Sequence, residues 1–565
     1  MSEPVWTIEP AHPELNQVAE RLGLHPGATQ VLLNRGGLAA ATTDHLAPRL
    51  AQLADPSALR DVDVAVELLV QAILAQTPIC IYGDYDVDGT SASAVLVENL
   101  KALSAVVGYY TPHRLLQGYG LHKEAVDEVH ARGFRVLVTA DLGISNAEEV
   151  AYAKGLGLQV IVVDHHQVPE RLPIADAVIN PHRPDDGFPY KPLCAAGVAF
   201  HLLIALRRRL RAPDLAGRFP ELDLRRSLDL VALATVADMV PLTGVNRILV
   251  ARGLDVIRTG SRPGLLALMR AAGLEPGQAD AQALGFRLGP RVNAAGRMGS
   301  AMRCVELFLS DGLVATDLAA RLDQENASRR SVEDFVLRGA TAQAEGQAAA
   351  GSAGICVAHD DWHPGVVGIV ASRLVERFHR PVLVIGQGGK GSGRSVPSVN
   401  LLNVLRVCAD AFLKFGGHPY ACGVTLKPGA DAALRSAFAK AVTEASADGP
   451  YRPTLAIDHT LAAHEIDDAL VRDLDRVGPY GVGHPEPMFH LKGALITGRR
   501  QVGDGHLKLV IDAGAGRAPL SAIAFRQAAH PAASADFLDL AFTPFVSHFS
   551  GTPKVELRVK ALRPA

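Results

Sequence analysis

From about Asp61 to Asn180 the chain alternates short Val- and Ile-rich runs with amphipathic stretches, and this alternation constrains the fold more than any other feature. Ile79–Gly83, Val106–Tyr110, Arg135–Ala140, Gln159–Val163 and Ala177–Asn180 read as strands. Ser91–Leu103, His122–Arg132 and Asn146–Lys154 read as the helices between them. Strands that are apolar almost throughout are covered on both faces, as in a parallel sheet. The chain is therefore expected to form a doubly wound α/β domain.

Helical stretches follow at Gly197–Arg211, Arg225–Ala237 and Ala315–Ala350, the last long, polar and Ala-rich, as a helix connecting domains would be. A second α/β pattern opens with the strand Gly354–Ala358, the helix Val366–Phe378 and the strand Pro381–Ile385. From near Leu455 the period changes to two, as in Leu507–Ile511 and Val555–Val559, which predicts a small β-barrel. The expected division is a helical segment 1–60, a catalytic α/β domain 61–314, a connecting helix 315–350, a second α/β domain 351–454 and a barrel 455–565. With 48% hydrophobic and 20% charged residues, a mostly disordered chain is excluded. Six scattered cysteines without a CxxC make neither a disulfide framework nor a zinc ribbon. Apolar stretches such as Leu228–Ala237 fall far short of the ~20 residues of a membrane span. The first ten residues carry acids where a secretion signal carries positive charge, so a cytoplasmic placement is expected.

Chemistry-bearing residues collect where the strands of the first domain end. Asp84-Tyr85-Asp86-Val87-Asp88-Gly89 follows the first strand, Asp141 the third and Asp164-His165-His166 the fourth. In open parallel sheets ligands bind outside the carboxyl ends of the strands, so three turns deliver acids and imidazoles to one rim. The first motif is not an EF-hand loop, because the position six residues after Gly89 is Val95 and not Glu. Carboxylates and imidazoles together suit two divalent metals about 3.5–4 Å apart, which neutralise a phosphodiester and acidify water. Mixed oxygen and nitrogen ligation favours Mn²⁺ and tolerates Mg²⁺.

The Asp164-His165-His166 triplet with the acidic motif resembles the DHH phosphoesterase superfamily. Further segments resemble its RecJ family of single-strand-specific 5′→3′ exonucleases. They are Tyr82–Gly89, Gly118-Tyr119-Gly120-Leu121, Ala237-Asp238-Met239-Val240-Pro241-Leu242, Gly289–Arg297, Trp362–Leu374, Gly391–Ser395, Gly416-Gly417-His418 and Gly478–Gly481, in the same order. The resemblance implies a DHH domain, a long connecting helix, a DHHA1 domain and a C-terminal OB-fold barrel. It also implies release of 5′-mononucleotides from single-stranded DNA in recombination and repair. One metal would take Asp84, Asp86 and Asp141, and the other Asp88, Asp141, His165 and Asp238. The sharing of Asp84, Asp86 and Asp88 between the two is left open. His166 would touch the scissile phosphate or assist proton transfer, Asp164 would orient an imidazole, and Arg297 would stabilise charge on the phosphate. Arg114, Ser392 and Arg394 resemble a pocket for the 5′-terminal phosphate, while Tyr119, Asn293 and His418 would line the DNA track. A monomer working with single-strand-binding protein and a helicase is the family expectation. Two rivals remain: a phosphodiesterase of short oligonucleotides or cyclic dinucleotides, and a non-catalytic scaffold. The family match departs at Cys422, where a small residue is usual, and at His484, where Asn is usual.

Net charge is −3, yet from Leu491 onward ten Lys and Arg face five acids, an excess of +5. A basic barrel reads as a surface that tracks a single-stranded backbone. The run Arg207-Arg208-Arg209-Leu210-Arg211 reads instead as the polar end of a helix.

Overall fold

The computed structural model describes residues 4–565 apart from 41, 114–116, 447–448, 450, 515 and 548–552. The chain separates into two compact units, one holding Thr7–Asp323 and Ala456–Ala565, the other Gln324–Leu455 with the first residues of the chain.

In the larger unit a parallel sheet runs in the order Val107–Tyr110, Ile79–Gly83, Val136–Ala140, Gln159–Val163, Ala177–Ile179. Numbered along the chain, that order is 2-1-3-4-5, a doubly wound arrangement whose direction reverses between the first and third strands. Alternate side chains enter two cores. Ile79, Ile81, Val136, Val138, Ile161 and Val163 pack with the helices Val62–Leu74, Val87–Ala102 and Ala195–Leu210. Cys80, Tyr82, Leu137, Val160 and Val162 pack with Lys123–Ala131 and Ala147–Gly155. Burial on both sides is why these strands are apolar at nearly every position.

The helix expected from Ser91 begins four residues earlier, at Val87. Asp86 caps it, accepting from the amides of Asp88 (2.9 Å) and Gly89 (3.1 Å). The second half of the acidic motif, Val87-Asp88-Gly89, thus lies in the first helical turn, and Asp84-Tyr85-Asp86 leads into it. The arginine run closes the helix Ala195–Leu210 in ion pairs: Arg208 with Asp55 (3.0 Å), Arg209 with Asp214 (2.9 Å), and Arg207 and Arg211 with Glu221.

The C-terminal strands Phe489–Val502, His506–Ile511, Leu520–Ala524, Lys554–Pro564 and Phe537–Ser547 pair in that sequence, and the last pairs back on the first. This is a closed five-stranded barrel of the OB type, 1-2-3-5-4-1. The helices Leu15–Leu22 and Pro26–Ala40 belong to the same core: Val18, Val31 and Leu32 are buried with Leu470, Leu509 and Leu540. These two helices are therefore part of the barrel module, whereas Leu50, Leu53 and Leu59 pack on the α/β core. Buried Arg247 of the helix Gly244–Arg258 ties that module to the α/β domain, donating to the carbonyls of His45 (2.6 Å), Val477 (3.0 Å) and Gly478. Arg247→Ala would strand these acceptors, and a loss of about 2–3 kcal/mol is expected, read as a lower urea midpoint. His484 stacks on Tyr480 with ring centres 5.1 Å apart, and its Nε2 lies 3.2 Å from the Val477 carbonyl. This departure from the family pattern is a packing residue.

The smaller unit carries a mixed sheet ordered Phe412–His418, Ala421–Leu426, Lys390–Arg394, Val382–Ile385, Ile355–Ala358. Only the last two strands pair in parallel. The C-terminal half of the long helix Gly312–Ala349 supplies Val336, Ala340 and Ala344 to a core with Trp362 and the helix Val367–Phe378. Cys422 is buried among apolar side chains, as a small residue there should be.

Candidate active site and metal centre

The sheet register assembles the site. Gly83, Ala140, Val163 and Ile179 are aligned across neighbouring strands, so the next residues, Asp84, Asp141, Asp164 and Asn180, leave the sheet along one edge. The ladder continues one step further through their backbones: the Asp84 amide donates to Ala140 O (3.1 Å), Asp141 to Val163 O (3.0 Å) and Asp164 to Ile179 O (3.1 Å). This edge spans the reversal in strand order, where such sheets open a crevice for ligands.

Two glycines permit the close approach. A Cβ on Gly89 would lie 2.6 Å from the backbone N and O of Asp84, and one on Gly296 would lie 2.8 Å from Tyr85 O. Gly89→Ala must push the helix Val87–Ala102 away from the strand end. A cost of about 1–3 kcal/mol is expected, with a larger fractional loss of activity because Asp84 and Asp88 move apart. Thermal unfolding and turnover on the same sample check this.

Seven of the predicted residues form overlapping clusters. Asp84, Asp86 and Asp141 bring one ligand atom each within 4.8 Å of one another, as do Asp88, His165 and Asp238, and also Asp141, His165 and His166. His165 Nε2 sits 3.1 Å from Asp141 Oδ1, 3.7 Å from Asp88 Oδ2 and 3.8 Å from Asp238 Oδ2. The Asp88 carboxylate also accepts from the amides of Ala195 (2.6 Å) and Ala196 (2.8 Å), at the positive end of the helix they begin. Asp141 and Met239, which follows Asp238, hold left-handed backbone with φ of 68° and 60°. Strain of this kind persists where the surroundings impose it.

The donor set fits divalent cations. Asp141 Oδ1 and His165 Nε2 are buried atoms that make no hydrogen bond among the described residues. Burial, then the charges of Asp88, Asp86, Asp84 and Asp238, raises the Asp141 carboxyl well above its ordinary range. Asp238 is pushed up to about 9 by burial and then by Asp88 and Asp86, and burial raises Asp88 as well. Carboxylates packed this closely call for a positive charge the protein itself does not supply.

Beside them Asp164 organises the histidines. Its Oδ1 accepts from the amides of His165 (2.7 Å) and His166 (3.1 Å) and lies 2.8 Å from His166 Nδ1, and its Oδ2 accepts from the Ile144 amide (2.9 Å). Burial works against both charges. The His166 contact nonetheless holds Asp164 below its usual range, and Asp164 raises His166 above its own. The Tyr119 hydroxyl donates to Asp141 O (3.2 Å) and lies 3.2 Å from His166 Nδ1. Buried Asn180, missed in the sequence, donates from Nδ2 to His166 O (2.9 Å) and so ties down the histidine turn. The signal for it was its place at the end of the fifth strand. These groups open on a cavity of ≈ 300 Å³ lined by Asp84, Tyr85, Asp86, Tyr119, Asp141, His166, Asp238, Asn293 and Arg297. Asn293 Oδ1 also accepts from the Val87 amide (3.2 Å).

Ser392, Arg394 and His418 lie in the smaller unit. Arg394 Nη1 donates to Ser392 Oγ and to Gly393 O, both at 2.8 Å, and burial lowers its pKa. A Cβ on Gly368 would fall 3.2 Å from Ser392 Oγ and 3.3 Å from Arg394 Nη2, so the first turn of the helix Val367–Phe378 adjoins the pair. A cation, a hydroxyl and a helix N-terminus together suit an anion. His418 is exposed at the end of the strand Phe412–His418. Arg114 lies outside the described residues.

A doubly wound sheet with this acid-and-imidazole rim defines a DHH phosphoesterase. Models for the DHH family N-terminal domain, the DHHA1 domain and the RecJ OB domain match residues 78–235, 351–444 and 457–561. The single-stranded-DNA-specific exonuclease RecJ of Salmonella typhimurium is 38% identical over 527 residues, covering 90% of this chain and 91% of the relative. That of Escherichia coli is 37% identical over 527 residues, covering 90% and 91%. The crystal structure of RecJ in complex with Mn²⁺ from Thermus thermophilus superposes with a TM-score of 0.84 at 32% identity, covering 99% of this chain and 80% of that one. Its complex with Mg²⁺ gives 0.78 at 31% identity, covering 99% and 78%. The chain belongs to the RecJ family of single-stranded-DNA-specific exonucleases.

Proposed function

We propose that this chain is a metal-dependent 5′→3′ exonuclease that degrades single-stranded DNA to 5′-mononucleotides in recombination and repair. The observation that carries the reading is the pair of ligand groups, Asp84/Asp86/Asp141 and Asp88/His165/Asp238, linked through the 3.1 Å approach of Asp141 to His165, at the switch point of the sheet. The first group would hold one divalent ion and the second, with Asp141 shared, the other. Mn²⁺ or Mg²⁺ bound there would neutralise the phosphate and lower the pKa of the attacking water.

The rest is done by the protein. Asp164 takes His166 Nδ1, which would leave Nε2 for the substrate. A His166 kept cationic by Asp164 would hold a phosphate oxygen or pass a proton to the leaving oxygen. Arg297, on the cavity wall, would stabilise charge developing on the scissile phosphate, and Asn293 would fix the strand beside it. Tyr119 would offer its ring to a base. Ser392 and Arg394, with Arg114, would bind the 5′-terminal phosphate, and His418 would contact the strand from the smaller unit. This reading retains the division into a catalytic domain 61–314, a connecting helix 315–350, a DHHA1 domain 351–454 and a barrel 455–565, with the helices Leu15–Leu22 and Pro26–Ala40 of the segment 1–60 packed on the barrel. Basic side chains of the barrel, including Lys492, Arg500, Lys554 and Lys560, have no ion-pair partner among the described residues and would track the strand.

No helix among the described residues is long and apolar enough to cross a membrane. A cytoplasmic monomer acting beside single-strand-binding protein and a helicase completes the reading on family grounds.

The test is to incubate the protein with Mn²⁺ and 5′-labelled single strands. Labelled mononucleotide appearing first is expected; label retained on shortening strands overturns the polarity. Cleavage of a dinucleotide faster than of a long 5′-phosphorylated strand would favour a short-oligonucleotide phosphodiesterase. For the phosphate pocket, Arg394→Ala should raise KM on 5′-phosphorylated strands on the order of tenfold or more, since charge-assisted hydrogen bonds contribute ≈ 1.5–3 kcal/mol. It should leave 5′-hydroxyl strands nearly unaffected.

A further inference from the structure

Phe286 is the most exposed aromatic side chain described, at 79%, and the proposed reaction gives it no task. It sits in a single π-helical turn, Leu284–Leu288, that runs directly into the helix Gly289–Met298. A π turn inside a helix is frequently a functional feature. Leu284, Leu288, Val292, Ala294 and Ala295 are buried, and Arg291 is held by Asp323 (2.8 Å). What stays accessible along this helix is mainly a stripe at 286, 290, 293 and 297. That spacing puts Phe286, Pro290, Asn293 and Arg297 on one helical face. Asn293 and Arg297, at one end of the stripe, line the cavity at the proposed metal centre, and Phe286 stands at the other end.

We propose that Phe286 is a stacking platform for a base of the single strand held at the cavity. The proposal rests on the nuclease reading and extends its binding surface. From Asn293 to Phe286 is seven residues, about 10 Å at 1.5 Å per residue. At 3.4 Å per stacked nucleotide that is roughly three nucleotides from the scissile phosphate. Aromatic rings bind successive bases irrespective of sequence, which suits an enzyme that must consume any strand. A protein partner fits less well, because a lone ring beside polar groups is far short of the ~800 Å² per side of a stable interface.

The test compares substrates of two lengths. Phe286→Ala should raise KM on a strand of about twelve nucleotides on the order of tenfold, the usual cost of losing a stacking ring, with kcat unchanged. A dinucleotide, too short to reach the ring, should be cut as by the native enzyme, and Phe286→Tyr should restore the long-strand KM. In EDTA, Phe286→Trp should report the long strand, but not the dinucleotide, as quenching of a third indole beside the two native tryptophans. Unchanged KM on the long strand, or an equal rise on both lengths, overturns the platform. If the native chain cuts no single strand at all, the nuclease reading has failed. Length-dependent quenching in EDTA would still uphold the platform in that case, and its absence would remove it.

Discussion

Asp141→Asn is expected to reduce turnover on single-stranded DNA by on the order of 10³-fold or more. Partners that merely orient a metal ligand cost 10–100-fold when lost, and Asp141 is placed more centrally than any of them. It belongs to two of the three ligand groups, and its Oδ1 lies 3.1 Å from His165 Nε2 and 3.9 Å from His166 Nδ1. Asn preserves the shape and tolerates the left-handed backbone at this position, so misfolding should not account for the loss. The substitution removes one of five crowded acids, so the metal-free variant should unfold at a temperature equal to or above that of the native protein. Its thermal shift on adding Mn²⁺ should largely disappear. Asp55→Asn, which alters a surface acid paired with Arg208, is the matched control and should change neither property. Near-native turnover of Asp141→Asn with Mn²⁺ would sink the shared-ligand assignment.

The strands were legible because burial on both faces leaves a strong signal. Ile79–Gly83 and Gln159–Val163 are reproduced to the residue, and the other strands of this sheet shift by one at an end. Acids at consecutive strand ends were legible as a rim for the same reason, since parallel register turns adjacent sequence positions into adjacent space. What the sequence hid depends on contacts between distant residues. The union of the N-terminal helices with the barrel rests on side chains such as Leu32 and Leu540, more than five hundred positions apart and each unremarkable by itself. Asn180 escaped notice because a polar residue at a strand end is ordinarily a turn former, and only the fold shows it reaching the His166 carbonyl. Gly89 and Gly296 carry no signal of their own in the sequence, and only the fold shows both as places where backbone meets backbone. Phe286 carries no sequence signal of exposure, and its neighbours Leu284 and Leu288 are fully buried.

Metal-free protein is expected to lose stability as pH rises from about 6 to about 9, opposite to the acid lability usual for carboxylate-rich proteins. A carboxyl group whose pKa is higher folded than unfolded binds its proton more tightly in the native state, so its contribution is complete only at low pH. That contribution is lost as pH climbs toward the folded value, about 9 for Asp238, and Asp141 and Asp88 are raised in the same direction. His166 adds to the trend, because its stabilising pair with Asp164 is fully present below the ordinary histidine range and is lost above its raised pKa. Asp164 itself, held low, loses its contribution only in more acid solution and leaves this window flat. Divalent ions replace those protons. The thermal midpoint in Mg²⁺ should therefore stay level while that in EDTA falls, and the gap should widen with pH. An ion at about 100 times its dissociation constant adds ≈ 2.7 kcal/mol, enough to resolve by scanning fluorimetry. Metal uptake should also release more protons near pH 6 than near pH 9, which titration calorimetry in buffers of different ionisation enthalpy measures directly. Asp238→Asn should flatten the EDTA curve, because an amide has no proton to lose. A metal-free protein that grows more stable between pH 6 and 9 would show that the carboxylates are not held protonated, and that the cluster's charge is balanced within the protein.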